Sequence, residues 1–391
     1  MLDLGEESSN LKTSIPRLIC IVSIWILMCV LVFQIKYYEI YLPNEGQRFG
    51  DLRYVLSCGG FDFRTYETLV CSDYMYGRGL LVVLKSLSIL HPYGDLITNL
   101  VVIAGLLPVA FLFNQSKKLF TKVLSVAIFL SPPIALLLQR GNLDIFVFFF
   151  SWVAIKAYLK GHYYWALTLC ATATAMKMYP LALFLLLGMS TWKKIPSVGV
   201  KIIFGVSTMI LCWSTLVDIR NIPWLPSDAR NSFGLRIFGE YWTYFKDGSG
   251  HQSSTFIAIA IGLLCLGVSL GVLAIPLRRQ FLLQNPVLSQ ELVLWMSFFT
   301  LIFFSGISID YRLVFLFPCV QVFDQCTKQI KALIAPLFFM AFLFSYPFDT
   351  AQTLGDIALF GIISFILLSQ YNSLLNNGVL NFKLFRRNSQ A

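Results

Sequence analysis

The chain has 391 residues, of which 57% are hydrophobic and only 13% are charged, and its mean hydropathy is +0.72. A soluble globular protein of this length needs far more polar surface, so that class is excluded. Several apolar runs reach the roughly 18–20 residues that cross a bilayer as a helix, and the alternating pattern of a membrane β-barrel is missing. The formal charge of +10 lies in short clusters between apolar runs, so we expect no nucleic-acid partner.

Hydropathy predicts an all-α, polytopic membrane protein with one transmembrane domain over residues 1–391. The segment before the first span contains acidic residues and lacks a cleavage pattern, so we expect a cytoplasmic tail there. The run 78–90 is too short to cross and carries Lys85, which predicts a helix lying in the membrane interface. The twelve predicted spans are 17–41, 97–114, 119–138, 142–159, 162–178, 179–191, 198–217, 254–276, 289–306, 310–326, 330–347 and 354–372.

Positive charge distinguishes the two faces of this arrangement. The cations between spans fall on the side of the N-terminus, which the positive-inside rule makes cytoplasmic. An even number of spans places both termini there. The short loops fit a bacterial inner membrane, and an endoplasmic reticulum protein with a lumenal active site would show the same pattern. The cations are Lys12, Lys117, Lys118, Lys160, Lys193, Lys194, Arg278, Arg279, Lys328, Lys331, Arg386 and Arg387.

The opposite face receives most of the remaining polar residues. It has a first loop of residues 42–96 and a second of residues 218–253. It also has three tight corners, "QRGNLD" at 139–144, "MKMYP" at 176–180 and "SIDYR" at 308–312. Ionisable residues at membrane depth are costly and often functional, so three such corners below two polar loops predict a polar cavity open to the outside.

The cations of these corners suit an anionic ligand. Arg140, Lys177 and Arg312 can bind phosphate, with arginine supplying a bidentate fork. A phosphate held between lipid and water indicates a lipid-phosphate substrate. Each cation also has a structural interpretation, because Arg140 can extend to headgroups, Lys177 can pair with Asp144 and Arg312 can pair with Asp310.

The outer loops contain candidates for acid–base chemistry. Asp51 follows the first span, and a carboxylate there can accept the proton of an acceptor hydroxyl as a general base. Asp62, Glu67 and Asp73 of the same loop are rivals. His251, in the second loop, titrates in the range that suits acid–base work.

Other polar residues have local interpretations. Asn142 can cap the fourth predicted span, and Asp144 lies in its first turn, where the helix dipole favours an anion. Cys58 and Cys71 share the first loop and form either a disulfide or two free thiols. The sequence has no CxxC pair or histidine cluster, so we expect neither a metal nor another cofactor.

At these motifs the chain resembles the GT-C membrane glycosyltransferases, and within them the family 87 branch of polyprenyl-phosphate-mannose-dependent enzymes. Residues 141–184 resemble that family's Gly-Asn-x-Asp helix and the small-residue helix that ends in Lys-x-x-Pro. "FGDLRYV" at 49–55 resembles the acidic start of the first outer loop, and "DYRLVFLFP" at 310–318 resembles the entry to a late span. Some relatives have two adjacent acids where this chain has only Asp51.

The resemblance implies a GT-C-like bundle that passes mannose or another hexose from a polyprenyl-phosphate donor to a hydroxyl of a glycan or glycolipid acceptor, with inversion. It implies that Asp51 activates the acceptor and that Arg140, Lys177 and Arg312 hold the donor phosphate, while His251 is the second catalytic candidate on the chemistry of histidine alone. The residues expected to bind substrate are Arg53, Tyr54, Asn142, Asp144, Tyr179, Asp310 and Tyr311.

Three alternatives stay open on the sequence. The first is a polysaccharide polymerase or ligase of similar architecture that uses a lipid-diphosphate donor. The second is a transporter, which should show internal repeats and broken helices with polar groups near the midplane. The third is a structural scaffold, which gives no reason for Lys177.

Overall fold

The computed structural model is helical throughout the part of the chain that it describes. Its regular segments are helices and it contains no strand within those ranges, which confirms the all-α prediction. Helices satisfy their own backbone hydrogen bonds, as apolar segments without water require. The described residues are 5–40, 49–63, 78–116, 118–192, 194, 198–221, 288–303, 310–343 and 349–369.

The first half of the chain alternates between long and short helices. A π-helix over Leu31–Ile35 continues the first of them, and 3-10 turns cover Tyr37–Ile40 and Ser88–Tyr93. The helices are α1 (Gly5–Val30), α2 (Gly50–Cys58), α3 (Arg78–Ser86), α4 (Gly94–Gln115), α5 (Leu119–Phe129), α6 (Pro132–Arg140) and α7 (Asp144–Leu159).

The second half continues the same pattern. A 3-10 helix over Asp310–Gln325 lies between two α-helices. The helices are α8 (Tyr163–Met176), α9 (Leu181–Thr191), α10 (Val198–Asn221), α11 (Gln290–Phe303), α12 (Lys328–Leu343) and α13 (Asp349–Ser369). The predicted span 254–276 lies outside the described residues, and each of the other eleven coincides with a helical segment.

Two described segments are long and apolar enough to cross a bilayer, Pro16–Ile35 and Ser88–Gln115. Helices α5 and α6 pass the same test together, as a span broken by a 48° bend. The bend falls where Pro132 and Pro133 begin α6, and proline cannot continue the preceding helix. The protein is thus consistent with membrane association, while the count of twelve spans stays a prediction.

Polar contacts show that helices α4 to α7 run alternately between two ends of the bundle. We call the end that contains Asp51 and Arg140 the site end, and the end that contains Lys118 and Lys194 the basic end. Helix α4 starts at the site end, where Asp95 binds α2, and stops at the basic end. The chain returns to the site end through α5 and α6, which ends at Arg140. It then runs back toward the basic end through α7.

Later helices keep to the same two ends. Lys177, after α8, contacts the start of α7 at the site end, and Lys194, after α9, lies over the rings of Tyr158 and Tyr163 at the basic end. Glu291 at the start of α11 pairs with Lys156 near the end of α7. Helices α7 to α9 therefore run between these two ends as well, and the predicted membrane topology stays a prediction.

The predicted interfacial segment 78–90 forms α3 and the first residues of the 3-10 turn that follows. Leu80 and Leu84 are buried against α2 and α8, whereas Val82, Val83 and Ile89 are exposed. A short helix with apolar residues on its open side is suited to lie on a membrane surface.

Helices α12 and α13 cross closely at Gly355. A Cβ at this glycine would come within 2.5 Å of the Ala341 backbone nitrogen and 2.8 Å of the Leu337 carbonyl oxygen. Backbone atoms cannot move aside as a flexible side chain can. Small residues permit such close helix crossings in membrane proteins.

We expect Gly355→Ala to lower the free energy of unfolding by about 1–3 kcal/mol, as overpacking does. Thermal unfolding of the purified protein in detergent measures this. Gly205→Ala on α10 is the matched control, because nothing lies within 4 Å of its added Cβ. That control should be neutral or stabilising by up to about 1 kcal/mol. Equal unfolding midpoints for Gly355→Ala and Gly205→Ala would contradict the close crossing of α12 and α13.

Candidate functional site

The corner between α6 and α7 is set by Gly141. Its N–H donates to the Leu138 carbonyl at 3.2 Å, and the next N–H, of Asn142, donates to the Leu137 carbonyl at 3.1 Å. This pair of bonds with a left-handed residue (φ 59°) is a Schellman helix end. A Cβ at Gly141 would also lie 2.9 Å from the Phe49 Cβ. Only glycine therefore fits both the conformation and the space.

The same corner holds the start of α2. The Phe49 N–H donates to the Gln139 carbonyl at 2.6 Å, and Phe49 itself is left-handed, with φ 58°. Its buried ring packs against Phe33 of the π-helix that continues α1. These contacts place Asp51, in the first turn of α2, directly beside the α6–α7 corner.

Asp51 contacts two residues of that corner with its two oxygens. Oδ1 lies 3.0 Å from the Nε of Arg140, and Oδ2 accepts from the Nδ2 of Asn142 at 2.7 Å. The Asp51 side chain is 16% exposed and that of Arg140 is 49% exposed. A carboxylate has about four lone-pair positions, so these two bonds leave capacity for a hydroxyl donor approaching from solvent.

Asn142 connects Asp51 to a buried ion pair. Its Oδ1 accepts from Lys177 Nζ at 2.7 Å and from the Asp144 N–H at 3.1 Å. The second bond is a local turn in which the Asn142 side chain accepts from the N–H two residues on, whereas the residue that directly precedes α7 is Leu143. Lys177 Nζ also lies 2.8 Å from Asp144 Oδ1, and the Asp144 side chain is fully buried. The side-chain amide of Asn142 is oriented to suit all three bonds, because its oxygen faces two donors and its nitrogen faces the Asp51 carboxylate.

Two further residues complete this arrangement. The Tyr179 hydroxyl donates to Asp144 Oδ1 at 2.7 Å, and the Arg312 guanidinium carbon lies 4.5 Å from the centre of the Tyr179 ring. We call the whole set the Asp51 cluster. Its members are Asp51, Arg140, Asn142, Asp144, Lys177, Tyr179 and Arg312.

Packed aromatic rings lie beneath the cluster. The Tyr179 ring contacts Phe315 at 5.5 Å and Phe298 at 6.3 Å, and Phe148 adds contacts to Phe315 and Trp295. All four of these partners are almost completely buried. An apolar floor excludes water, so charges above it interact more strongly than they would in solvent.

The cluster carries an excess of positive charge. It contains three cations, Arg140, Lys177 and Arg312, and two carboxylates, Asp51 and Asp144, which leaves one net positive charge. The second oxygen of Asp144 has no hydrogen-bond partner among the described residues.

The structure separates the remaining candidates from the cluster or leaves them undescribed. Arg53 pairs with Asp95 at 2.8 Å and lies near the Phe63 ring, so it joins α2 to α4, a contact that the sequence did not predict. Tyr54 packs beside the small apolar group between α2 and α3. His251 lies outside the described residues, as do the side chains of Asp310 and Tyr311 at the start of the 3-10 helix.

Cys58, the last residue of α2, takes part in a disulfide bond. Its predicted partner, Cys71, lies outside the described residues. Disulfides persist in oxidising compartments, and this one belongs to the loop predicted to be extracytoplasmic.

Within the described residues, no group of three or more His, Cys, Asp or Glu side chains is arranged to hold a metal ion. The chain matches no protein-family model, no curated protein and no solved structure. The sequence motifs and the geometry of the Asp51 cluster are therefore the features that indicate a function.

Proposed function

We propose that the chain is an integral-membrane glycosyltransferase of the GT-C type, similar to family 87. It transfers mannose or another hexose from a polyprenyl-phosphate donor to a hydroxyl of a lipid-linked or cell-envelope glycan. The observation that carries the proposal is the meeting of Asp51 with Arg140 and Asn142, and of Asn142 with Lys177. Residues far apart in sequence, predicted to share a cavity, are in contact.

Asp51 is the general base of the proposed reaction. The acceptor oxygen forms a bond to the anomeric carbon while its proton passes to the Asp51 carboxylate. The bond between that carbon and the phosphate oxygen breaks, and its electron pair leaves with polyprenyl phosphate. The partial exposure of Asp51 supports this role, because the acceptor must reach it from solvent.

The cations stabilise the leaving phosphate. Arg140 is half-exposed beside Asp51 and is suited to contact the phosphate directly. Lys177 is bound to buried Asp144, so its part is a fixed positive charge close to Asn142. Preorganised charges of this kind favour the transition state, in which negative charge grows on the leaving oxygen.

The membrane arrangement forms part of the proposal. Twelve spans would place both termini and the basic end in the cytoplasm, with the Asp51 cluster on the extracytoplasmic face. The disulfide at Cys58 supports this orientation, since it lies on α2 with Asp51. A bacterial inner membrane fits the short loops at the basic end.

One observation favours transport as a second candidate. Helices α5 and α6 pass as one membrane span only if it contains a 48° bend. Transporters build substrate sites at such breaks. Among the described residues no second bent pair is found, and Lys177 lies in the turn between α8 and α9 at the site end.

A donor panel separates these functions. Purified protein in lipid nanodiscs is offered polyprenyl-phosphate sugars and a lipid extract containing acceptors, and sugar transfer is measured. We expect transfer from a monophosphate donor, and we expect Arg140→Ala to lower it by about 100-fold without loss of folding. Transfer only from diphosphate donors would indicate the polymerase or ligase. Sugar movement across vesicles without transfer would indicate a transporter.

Arg53→Ala is the control for Arg140→Ala. It removes another arginine of the site end that pairs with a carboxylate, Asp95 instead of Asp51. We expect it to affect stability more than transfer. Equal losses of transfer at matched stability would contradict the phosphate-binding role of Arg140.

A further inference from the structure

A second group of cations lies at the basic end, far from the Asp51 cluster. Lys194 Nζ lies 5.4 Å from the centre of the Tyr158 ring and 5.2 Å from that of Tyr163. Lys201, in the first turns of α10, lies 5.7 Å from the centre of the Trp192 ring. We call this group the lysine–aromatic corner. It consists of Tyr158, Tyr163, Trp192, Lys194 and Lys201, together with the exposed Lys160, which lies two residues after Tyr158 in the chain.

The corner is open to its surroundings. Lys160 and Lys194 are exposed, as are Trp192 and the adjacent Trp165, which is 68% exposed. An exposed tryptophan in an apolar helix is typical of the membrane interface. The ring faces hold the ammonium groups of Lys194 and Lys201 in place, so less side-chain entropy is lost when these lysines bind an anion.

No carboxylate neutralises these lysines within the described part of the chain. Lys160, Lys194 and Lys201 form no ion pair there. Glu291, the carboxylate at this end that could compete for them, is bound to Lys156 at 2.6 Å. The corner is therefore a local excess of positive charge beside exposed aromatic rings.

An exposed aliphatic strip continues from the corner along α10. Val198, Ile202, Ile203 and Val206 are all at least half-exposed and follow one another from the start of the helix. Cations at the start of an apolar strip match a molecule with an anionic head and acyl chains. A soluble phosphate has no acyl chain that could contact the aliphatic strip.

We propose that the lysine–aromatic corner binds the headgroup phosphate of an anionic phospholipid in the leaflet at the basic end, with the acyl chains along α10. Zwitterionic lipids carry a compensating ammonium and bind less well at an unpaired cluster of cations. The same charge complementarity makes the interaction sensitive to salt. This site is independent of the proposed transfer reaction.

The test compares lipid binding by the purified full-length protein, measured by native mass spectrometry and by thermal stabilisation. Phosphatidylglycerol and phosphatidylcholine of identical acyl chains are added in separate samples, with soluble glycerol phosphate in a third. We expect tighter retention of phosphatidylglycerol. The triple variant Lys160→Gln/Lys194→Gln/Lys201→Gln should lower that affinity at least tenfold and leave phosphatidylcholine unchanged.

A matched triple variant controls for the general charge of the basic end. Lys122→Gln/Lys328→Gln/Lys331→Gln removes three other lysines from the same end. Equal loss in both triple variants would overturn the site in favour of diffuse attraction. Equal affinity for glycerol phosphate would replace the lipid with a soluble anion, and no lipid preference in the wild type would also overturn the proposal.

Single variants keep the test decisive if the first triple variant does not fold. Lys160 has an exposed side chain and no ring contact, so Lys160→Gln should fold. It should lower phosphatidylglycerol affinity about threefold, whereas Lys122→Gln should not. Indistinguishable single variants would count against the corner.

Discussion

We expect Lys177→Met to lower the free energy of unfolding by about 3–5 kcal/mol. The substitution keeps the length of the side chain and removes the ammonium that binds Asp144 and Asn142. Asp144 is fully buried, so its carboxylate would be left without a cation in a water-poor environment. Chemical denaturation of the purified protein in detergent measures the loss.

The control is a lysine in an exposed ion pair. Lys36 lies 3.2 Å from Glu39, and both side chains are about half-exposed, so Lys36→Met should cost no more than about 1 kcal/mol. The double variant Asp144→Asn/Lys177→Met should recover part of the loss, because no buried charge remains unpaired. Additive losses in the double variant would mean that the two charges do not depend on each other.

We expect Asp51→Asn to lower the rate constant of sugar transfer by about 10²–10⁴-fold, the usual contribution of a general base. The asparagine is nearly the same size, so donor binding should change much less than turnover. Asparagine has one side-chain oxygen, so it cannot accept from Arg140 and from Asn142 at two separate oxygens as Asp51 does. A modest loss of stability should therefore accompany the change. Single-turnover transfer and thermal unfolding are measured on the same sample.

Glu291→Gln is the matched control for this substitution. It also removes a carboxylate that pairs with a cation, at a similar exposure of 22%, but at the basic end. Its stability should fall while transfer is retained. Full activity in Asp51→Asn would remove Asp51 as the base, and equal inactivation of both variants would show that the loss comes from the fold.

Residues with strong local constraints were predictable. The tight corner at 139–144 was predicted, and Gly141 suits it because glycine adopts a left-handed conformation without steric cost. Asn142 was expected to cap the next helix, and its side chain accepts from the Asp144 N–H, although Leu143 is the residue that directly precedes α7. The pairing of Lys177 with Asp144 was one of the interpretations left open, and it is observed. A buried charge needs a partner nearby, and few acids are available in so apolar a chain.

Contacts between distant segments were not predictable in this way. Nothing in the sequence around Phe49 indicates a left-handed bulky residue, yet that conformation brings α2 to the α6–α7 corner. The role of Arg53 in binding substrate stays a prediction, whereas its ion pair with Asp95 on α4 was not predicted. Such outcomes depend on which surfaces pack together, and many pairings share the same local pattern.

The amino-acid sequence by itself determined the helical class, the tight corner at Gly141 and the residue types available for chemistry, because hydropathy and turn preferences act over a few neighbouring residues. Only the tertiary structure decided that Asp51 meets Arg140 and Asn142, and that Arg312 lies over Tyr179. These contacts join segments 89 or more residues apart along the chain. Packing of whole helices selects such partners, and packing is a property of the assembled bundle rather than of any one segment.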